Sequence, residues 1–343
     1  MALIGQPQYQ ATADFPAELG YGWNLLAATE NGNPLYWDAE VAESLTGGQI
    51  LPLSTLSIWM RPHRWSPGAC GEQVALQCHF DLKEILELPE AIIGGYGCEF
   101  AAPVRAGDVI SHHQVLRSVS DEKVTRVGTG RFWTIGVEYW NQDGVAVGTE
   151  SYTGFGYVRG GEGGVVEKSV GSVVVEPEQG WAKRDVAHDQ VSVGDRLKPL
   201  SHDVTATTVV LGALASRDWR PMHHDYHFAT ERNGTQDIFL NTPNQLAWFE
   251  RYITDWTGPK GRIGSMSFQM RDPVYPGDEM VVAGVVVNTF VDDRRCGWVD
   301  LELALTAHGV VATTCAVRVA LPMKASDNPW CREAHCWHPG GMG

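Results

Sequence analysis

Two stretches of similar sequence occur in the two halves of the chain: NGNPLYWDAEVA (Asn31–Ala42) and DWRPMHHDYHFA (Asp218–Ala229). Three identities keep one offset of 187 positions: Pro34 with Pro221, Asp38 with Asp225 and Ala42 with Ala229. Two later pairs follow in the same order: PVRAGD (Pro103–Asp108) with PVYPGD (Pro273–Asp278), and Glu138–Thr149 with Ala304–Thr314. An ordered repeat of this kind predicts two copies of one fold in the 343 residues.

Each copy continues with a candidate helix and then a series of candidate strands. The helices are predicted at Ile50–Met60 and Asn241–Trp256. In the second, Asn241 or Thr242 can cap, Pro243 suits the first turn, and apolar residues recur at helical spacing. Runs of alternating or β-branched residues follow, such as EMVVAGVVVNTFV and GWVDLELALTA. The pattern predicts an α+β fold in which the two copies pair edge to edge.

A Gly-rich segment that begins RGGEGGVVEKSVGS divides the chain near its middle. We therefore predict an N-terminal half over 1–158, a linker over 159–176, a C-terminal half over 177–323 and a tail over 324–343.

Charge and apolar patterning exclude several classes of protein. The chain has 41 Asp and Glu against 26 Lys and Arg, a net charge of −15, which opposes binding to nucleic acid. It shows no signal sequence and no run of about eighteen apolar residues, so we predict a cytoplasmic protein without a membrane partner. Seven cysteines without framework spacing indicate reduced thiols.

Two clusters of side chains invite a metal interpretation. The tail carries Cys331, His335, Cys336 and His338, and the second repeat carries His223, His224, Asp225 and His227. The first lies after the last strand-like segment in an end flanked by Pro and Gly, and the second has adjacent His side chains that diverge without helical spacing. We predict no metal site, and expect instead that Trp330 and Trp337 pack the tail against the body.

The second repeat resembles the MaoC-like acyl-CoA dehydratase and hydratase family. Its Asp218-x-x-Pro-Met-His223-x-Asp225, followed by a helix and a Pro-Val-x-x-Gly-Asp turn, is similar to the family motif Asp-x-Asn-Pro-Leu-His-x-Asp. The first half, with NPLYWD and PVRAGD, is similar to the N-terminal dehydratase half of two-copy members. The resemblance implies a tandem (double) hot-dog fold, in which each half wraps an antiparallel sheet around a long helix.

The resemblance also implies a hydro-lyase that converts trans-2-enoyl-CoA to 3-hydroxyacyl-CoA, as in fatty or aromatic acid catabolism. Asp218 and His223 would be its catalytic pair, and CoA would be part of the substrate, with no further cofactor. Hydration requires a base, an acid and a donor to the enolate-like oxygen. A carboxylate and an imidazole on either side of one water can supply the first two.

Both copies depart from the family pattern. In the first, Asn31 and Tyr36 take the positions of Asp218 and His223, and neither is an effective base at neutral pH. We therefore predict that this copy has no catalytic site and shapes the acyl pocket. In the second, DIFLNTPN (Asp237–Asn244) lacks the family's His-Gly. Unpaired backbone N–H groups at the helix start, with Asn241, Thr242 and Asn244, are the candidate oxyanion and substrate contacts.

Basic residues of the first half form a second candidate contact. Arg61, Arg64 and Lys83, together with Arg220 at the motif's Asn position, would bind CoA phosphates or line the substrate tunnel. A set of surface salt bridges is the alternative interpretation.

Other functions remain open because one fold hosts several chemistries. A thioesterase would use the carboxylate to activate water at the carbonyl, and a non-catalytic acyl-thioester-binding subunit would use neither residue. One chain already imitates the dimer of one-copy relatives, and a homodimer through the outer surfaces remains open.

Overall fold

The structure, a computed structural model, describes residues 3–68, 74–159, 185–333 and 336–340. Its α-helices are α1 (Leu19–Ala28), α2 (Pro34–Trp37), α3 (Ala39–Thr46), α4 (Gln77–Ile85), α5 (Ala206–Ala215) and α6 (Thr242–Thr257). The strands of the first half are β1 (Pro7–Thr12), β2 (Glu90–Phe100), β3 (Ser111–Val119), β4 (Lys123–Thr125), β5 (Gly128–Trp140) and β6 (Ala146–Arg159). Those of the second half are β7 (Arg196–Asp203), β8 (Arg262–Met270), β9 (Glu279–Val291), β10 (Gly297–Ala307) and β11 (Val310–Leu321). Apart from Arg159, the predicted linker lies outside the described residues.

All strands belong to one antiparallel sheet, ordered β1-β3-β5-β6-β2-β8-β11-β10-β9-β7, with β4 on β5. The two halves meet where β2 pairs with β8, from Gly95 opposite Gln269 to Glu99 opposite Ser265. Each half thus satisfies the unpaired edge of the other, which is the edge-to-edge arrangement predicted from the sequence.

The long helix α6 is the centre of the core. Asn241 caps it, since its side-chain oxygen accepts a hydrogen bond from the Asn244 N–H, and Pro243 lies in its first turn. Leu246, Phe249 and Ile253 are fully buried. The sequence prediction for this helix is confirmed.

The prediction of a long helix at Ile50–Met60 is wrong. The chain there forms only a 3₁₀-helix, Leu53–Ile58, capped by Pro52. Its sequence LSTLSI is rich in Ser and Thr, whose hydroxyls compete for backbone groups. The Thr55 hydroxyl, for example, donates to the Pro52 carbonyl at 2.6 Å. Among the described residues, the long central helix therefore lies in the second half.

The repeat appears in the backbone hydrogen bonds around the two similar stretches. The Asn31 N–H donates to the Leu26 carbonyl at 2.8 Å, and the Asp218 N–H donates to the Ala213 carbonyl at 2.9 Å. The residue before each, Glu30 or Arg217, has a positive φ of 53° or 54°. These matches place Asn31 over Asp218 and, five residues on, Tyr36 over His223.

The later turns match as well. In the first half the Arg105 N–H donates to the Asp108 carboxylate at 2.8 Å, and in the second the Tyr275 N–H donates to the Asp278 carboxylate at 2.9 Å. Gly107 and Gly277 share a φ of 92°, a left-handed value that favours glycine. The two Gly-Asp turns therefore have one geometry.

The described part of the tail packs on the body through Trp330 and Trp337, as expected. Both rings are buried, and the Arg262 guanidinium lies 3.6 Å from the centroid of the Trp337 ring. Of the four tail residues considered for a metal, His335 lies outside the described residues.

In the part of the chain that the structure describes, no helix is long and apolar enough to cross a membrane. The described residues also hold no group of three or more His, Cys, Asp and Glu placed to bind a metal ion.

Candidate active site

Asp218 is buried just after α5 and is surrounded by hydrogen-bond donors. The side-chain amide of Asn241 donates to Oδ2 at 2.9 Å, and the Arg220 N–H donates to Oδ1 at 3.3 Å. The guanidinium of Arg61 lies 3.4 Å from Oδ1. A buried carboxylate is tolerated only with such partners, so this environment is built for the charged form of Asp218.

His223 ends a 3₁₀-helix, Pro221–His223, that Pro221 begins. Its Nδ1 lies 2.8 Å from the Phe239 carbonyl oxygen, which can only accept. Nδ1 therefore carries the proton of the neutral ring, and the lone pair lies on Nε2. That atom faces Asp218, 3.9 Å from Oδ2.

Charge and burial act in opposite directions on the two pKa values. Burial alone would raise the pKa of Asp218, but Arg61, His223 and the hydrogen bond from Asn241 together hold it below its usual value. Burial lowers the pKa of His223, and the attraction of Asp218 offsets this only in part. At neutral pH the pair is therefore a carboxylate beside an uncharged imidazole.

Two hydrogen-bond acceptors thus face each other in this pair. Oδ2 of Asp218 and Nε2 of His223 are too far apart for a direct hydrogen bond, and neither has a proton to give. A water molecule can donate one hydrogen to each. The geometry therefore suits the binding and deprotonation of a single water.

The residues predicted at the start of α6 have three different positions. Asn241 uses both amide hydrogens on the protein, on Asp218 and on the Ser216 hydroxyl, so it orients the carboxylate and is not a free donor. Asn244 is fully buried, donates to the Thr208 carbonyl and is absent from the cavity wall, which makes its prediction as a substrate contact wrong. Thr242 does line the cavity. Its backbone N–H belongs to the first turn of α6, where N–H groups have no partner within the helix.

The first half holds an internal copy of this arrangement, filled by a side chain. Glu250, from α6, accepts hydrogen bonds through Oε1 from the Tyr36 hydroxyl at 2.7 Å and the Leu53 N–H at 3.0 Å. The Ser54 N–H donates to Oε2 at 2.9 Å. Tyr36 stands where His223 stands in the second half.

Leu53 likewise corresponds to Thr242. The Leu51 and Leu240 N–H groups, two residues earlier, donate to Val104 and Val274 of the equivalent turns at 2.9 and 3.0 Å. A single oxygen atom, Oε1 of Glu250, therefore contacts both Tyr36, which matches His223, and the Leu53 N–H, which matches that of Thr242.

A cavity of about 550 Å³ connects the pair to the first half. Arg64, Lys83 and Arg220, three of the candidate CoA or tunnel contacts, line it. Arg61 also lines it, and its guanidinium is buried beside Asp218 because the Met60–Pro62 segment reaches across to the second half.

Several residues of this site escaped the sequence analysis. Arg217 donates to the Arg61 carbonyl at 3.1 Å and lies over the Phe15 ring. Behind Arg61, the hydroxyls of Tyr96 and Tyr139 donate to the buried carboxylate of Glu150, and Tyr152 lines the cavity. The three tyrosines and Glu150 lie on strands with ordinary alternation, which gives no signal of a polar cluster.

Comparison with known proteins matches the first half to a dehydratase family. Residues 25–150 match the model described as FAS1-like, dehydratase domain region. This segment contains the first repeat and most strands of the first half.

Solved structures of similar fold cover nearly the whole chain. A MaoC-like dehydratase has a TM-score of 0.66 at 17% identity, covering 93% of this chain and 98% of its own. A MaoC domain dehydratase from Chloroflexus aurantiacus J-10-fl has a TM-score of 0.63 at 13% identity, with coverage of 94% and 96%. A Mycobacterium tuberculosis protein described as a double hotdog fold has 0.62 at 11%, with coverage of 93% and 96%. The double hot-dog fold is thereby confirmed.

One curated relative is closer in sequence over a shorter segment. The 3-oxo-4,17-pregnadiene-20-carboxyl-CoA hydratase beta subunit of Mycobacterium tuberculosis is 38% identical over 87 residues. The match covers 25% of this chain and 65% of that subunit. The resemblance to MaoC-like dehydratases and hydratases is confirmed, in fold over nearly the whole chain and in sequence over the matched segments.

Proposed function

We propose that this protein adds water reversibly to a trans-2-enoyl-CoA thioester, using Asp218 and His223 of the second half. The observation that carries the proposal is the pair of acceptors, Oδ2 and Nε2, that face each other at 3.9 Å in the wall of the cavity. This arrangement is suited to one water molecule and to an acyl group placed beside it.

The proposed reaction uses the chain's own groups for each proton. The water hydrogen bonded to Asp218 and His223 attacks the β-carbon, and its proton passes to Nε2 of His223. The imidazolium so formed is stabilised by the adjacent carboxylate of Asp218 and then gives that proton to the α-carbon. The product gains one hydroxyl and one hydrogen, and both residues return to their starting state.

The enolate-like oxygen of the thioester needs a donor while the proton is in transit. We assign this to the Thr242 N–H, at the positive end of the α6 dipole. Glu250, which extends from α6 into the equivalent place in the first half, supports the assignment, because its Oε1 contacts the equivalent N–H, that of Leu53, at 3.0 Å. Arg64, Lys83 and Arg220, along the cavity, are proposed to bind the CoA phosphates.

The test is loss of the enoyl-thioester absorbance on mixing with a panel of substrates. The panel contains short, branched and aromatic enoyl-CoAs and the steroid thioester for which the mycobacterial relative is named. Asp218→Asn and His223→Ala are each expected to lower kcat by about 10²–10⁴-fold, the usual contribution of a positioned acid or base. His224→Ala is the matched control, because this neighbouring histidine is exposed and lies outside the cavity wall.

Two outcomes would contradict the proposal. Turnover that survives both dyad substitutions would show that the pair is not catalytic. Release of free CoA thiol without change in the enoyl absorbance would identify a thioesterase.

A further inference from the structure

Glu150, on β6, is a buried carboxylate of the first half that the proposed reaction does not use. Only 2% of its surface is exposed, and it is absent from the cavity wall. The Tyr96 hydroxyl, from β2, donates to Oε1, and the Tyr139 hydroxyl, from β5, donates to Oε2. These two strands flank β6 on its two sides. A carboxylate taken so far from water needs a counter-charge besides its hydrogen bonds.

The two tyrosines do not supply that charge. Burial and the nearby carboxylate raise the pKa of Tyr96 and of Tyr139 well above the usual value, so both hydroxyls remain neutral donors. Burial also raises the pKa of Glu150, while the hydrogen bonds from both tyrosines and the charge of Arg61 oppose the rise. Because each carboxylate oxygen accepts from a phenol that keeps its proton, the contacts fit the ionised form of Glu150.

Arg61 is the cation that acts on Glu150, and it does so through space. Its Nη1 lies 3.4 Å from Oδ1 of Asp218, while its Nε is sealed from solvent and has no hydrogen-bond partner among the described residues. Burial would lower the pKa of Arg61, but the attraction of Asp218, Glu150 and the surrounding tyrosines raises it. One buried guanidinium therefore serves two buried carboxylates, one from each half of the chain.

The remaining titratable groups near this set are two neutral ones and one cation. Cys98, opposite Glu150 on β2, keeps its proton because burial raises the pKa of its thiol well above the usual value. Burial does the same to the pKa of Tyr152, two residues along β6. Arg217, whose side chain donates to the Arg61 carbonyl, is a second cation that repels Arg61. Two cations and two carboxylates thus share this part of the interior, and removal of either carboxylate leaves an excess of positive charge.

We propose that Glu150 is a positioning residue for the hydration reaction: it holds Arg61 in the interior as a second counter-charge and so limits how strongly the guanidinium acts on Asp218 and His223. The inference rests on the proposed function, which assigns catalysis to that pair. Glu150 is enclosed by the two tyrosines and lies outside the cavity wall, so it does not touch the substrate. It acts on the pair only through charge.

The experiment measures the pKa of His223 directly, by NMR titration of the histidine rings in the substrate-free protein, with His223→Ala to assign the signal. Glu150→Gln removes the charge and keeps the volume, so more of the positive charge of Arg61 acts on the pair. The pKa of His223 is expected to fall by about half a pH unit, as one unit charge can produce at an effective dielectric constant of about 20. The acid limb of the pH profile of kcat/KM should move to lower pH by a similar amount.

Glu99→Gln is the matched control, because it removes the same charge from an exposed glutamate on the other face of the sheet. Glu99 follows Cys98, the residue of β2 that lies opposite Glu150. Neither the pKa of His223 nor the acid limb should move in this variant.

Two further variants separate charge from packing. Glu150→Asp keeps the charge and should leave the acid limb close to that of the intact protein, even where the shorter side chain lowers the thermal midpoint. Tyr139→Phe removes one of the two donors and so favours the neutral form of Glu150. It should lower the pKa of His223 in the same direction by a smaller amount, and it replaces Glu150→Gln in the test if that variant does not fold.

The outcomes separate this inference from the proposed function. An unchanged or higher pKa of His223 in Glu150→Gln, or an equal fall in Glu99→Gln, overturns the role of Glu150 while leaving hydration intact. A fall in the pKa without movement of the acid limb overturns it as well. If the intact protein hydrates no enoyl-CoA, the proposed function fails, and with it the catalytic part of the inference. The NMR titration needs no substrate and distinguishes this failure from the others.

Discussion

Glu250 provides the sharpest test of the internal repeat. Its carboxylate is buried and accepts from the Tyr36 hydroxyl and from the Leu53 and Ser54 N–H groups, at 2.7, 3.0 and 2.9 Å. Glu250→Ala would leave three buried donors without an acceptor, each of which costs about 1–3 kcal/mol. With partial rehydration of the space, we expect a loss of about 4 kcal/mol of unfolding free energy, a large part of the 5–15 kcal/mol typical of a domain.

Glu250→Gln separates the charge and contact contributions. The amide keeps one oxygen, which can still serve Tyr36 and Leu53, but it presents N–H groups where Ser54 needs an acceptor. A loss of about 2 kcal/mol is expected, from one unsatisfied donor. Formate, which can enter the space left in Glu250→Ala, should restore part of the stability.

The assay is urea denaturation followed by tryptophan fluorescence. Glu43→Ala, an exposed glutamate on α3, is the control and should change stability by less than about 0.5 kcal/mol. The hydration rate per folded molecule should persist in Glu250→Gln, because the first half lacks the dyad. An unfolding free energy of Glu250→Ala within about 1 kcal/mol of the intact protein would refute the assignment of Glu250 as an internal ligand.

Two other predictions follow from the site and its support. Arg61→Gln removes the positive charge that lowers the pKa of both Asp218 and His223. Both pKa values should therefore rise, and the acid limb of the pH profile of kcat/KM should move to higher pH. Arg61→Lys keeps the charge and should leave the acid limb close to that of the intact protein. If the acid limb of the pH profile did not move in Arg61→Gln, the role of Arg61 in lowering the two pKa values would be contradicted. Gly212→Ala places a Cβ 1.9 Å from the Asn244 amide nitrogen, so it should lower the thermal midpoint and the hydration rate together by displacing the start of α6. Gly20→Ala, in α1 with nothing within 4 Å, is its control, and equal midpoints would contradict the steric explanation.

Features that depend on local spacing were predictable. The offset of 187 positions brought Asn31 over Asp218 and Tyr36 over His223, and matching backbone hydrogen bonds are present at both places. The start of α6 could be predicted from Asn241 and Pro243, because capping uses residues within one turn of the helix start. The helix predicted at Ile50–Met60 failed because apolar spacing alone does not register the Ser and Thr hydroxyls that favour a 3₁₀ turn.

The roles of individual polar side chains were less predictable. Asn241 and Asn244 looked equivalent as donors, yet one holds Asp218 and the other is buried beneath α5. The surroundings of His79 gave no signal in sequence either, because the Trp133 indole that donates to its Nδ1 lies in a strand 54 positions away.

The sequence by itself determined that there are two copies, that only the second carries an Asp and a His in its turn, and where α6 and the strands β8 to β11 lie. Only the tertiary structure decided that Arg61 faces Asp218 and that Glu250 fills the equivalent place in the first half, 214 positions from Tyr36. The physical reason is that repeats, caps and alternation are set by neighbours along the chain. A buried charge instead finds its partner across the joint sheet, where the pairing of β2 with β8 determines which side chains of the two halves meet.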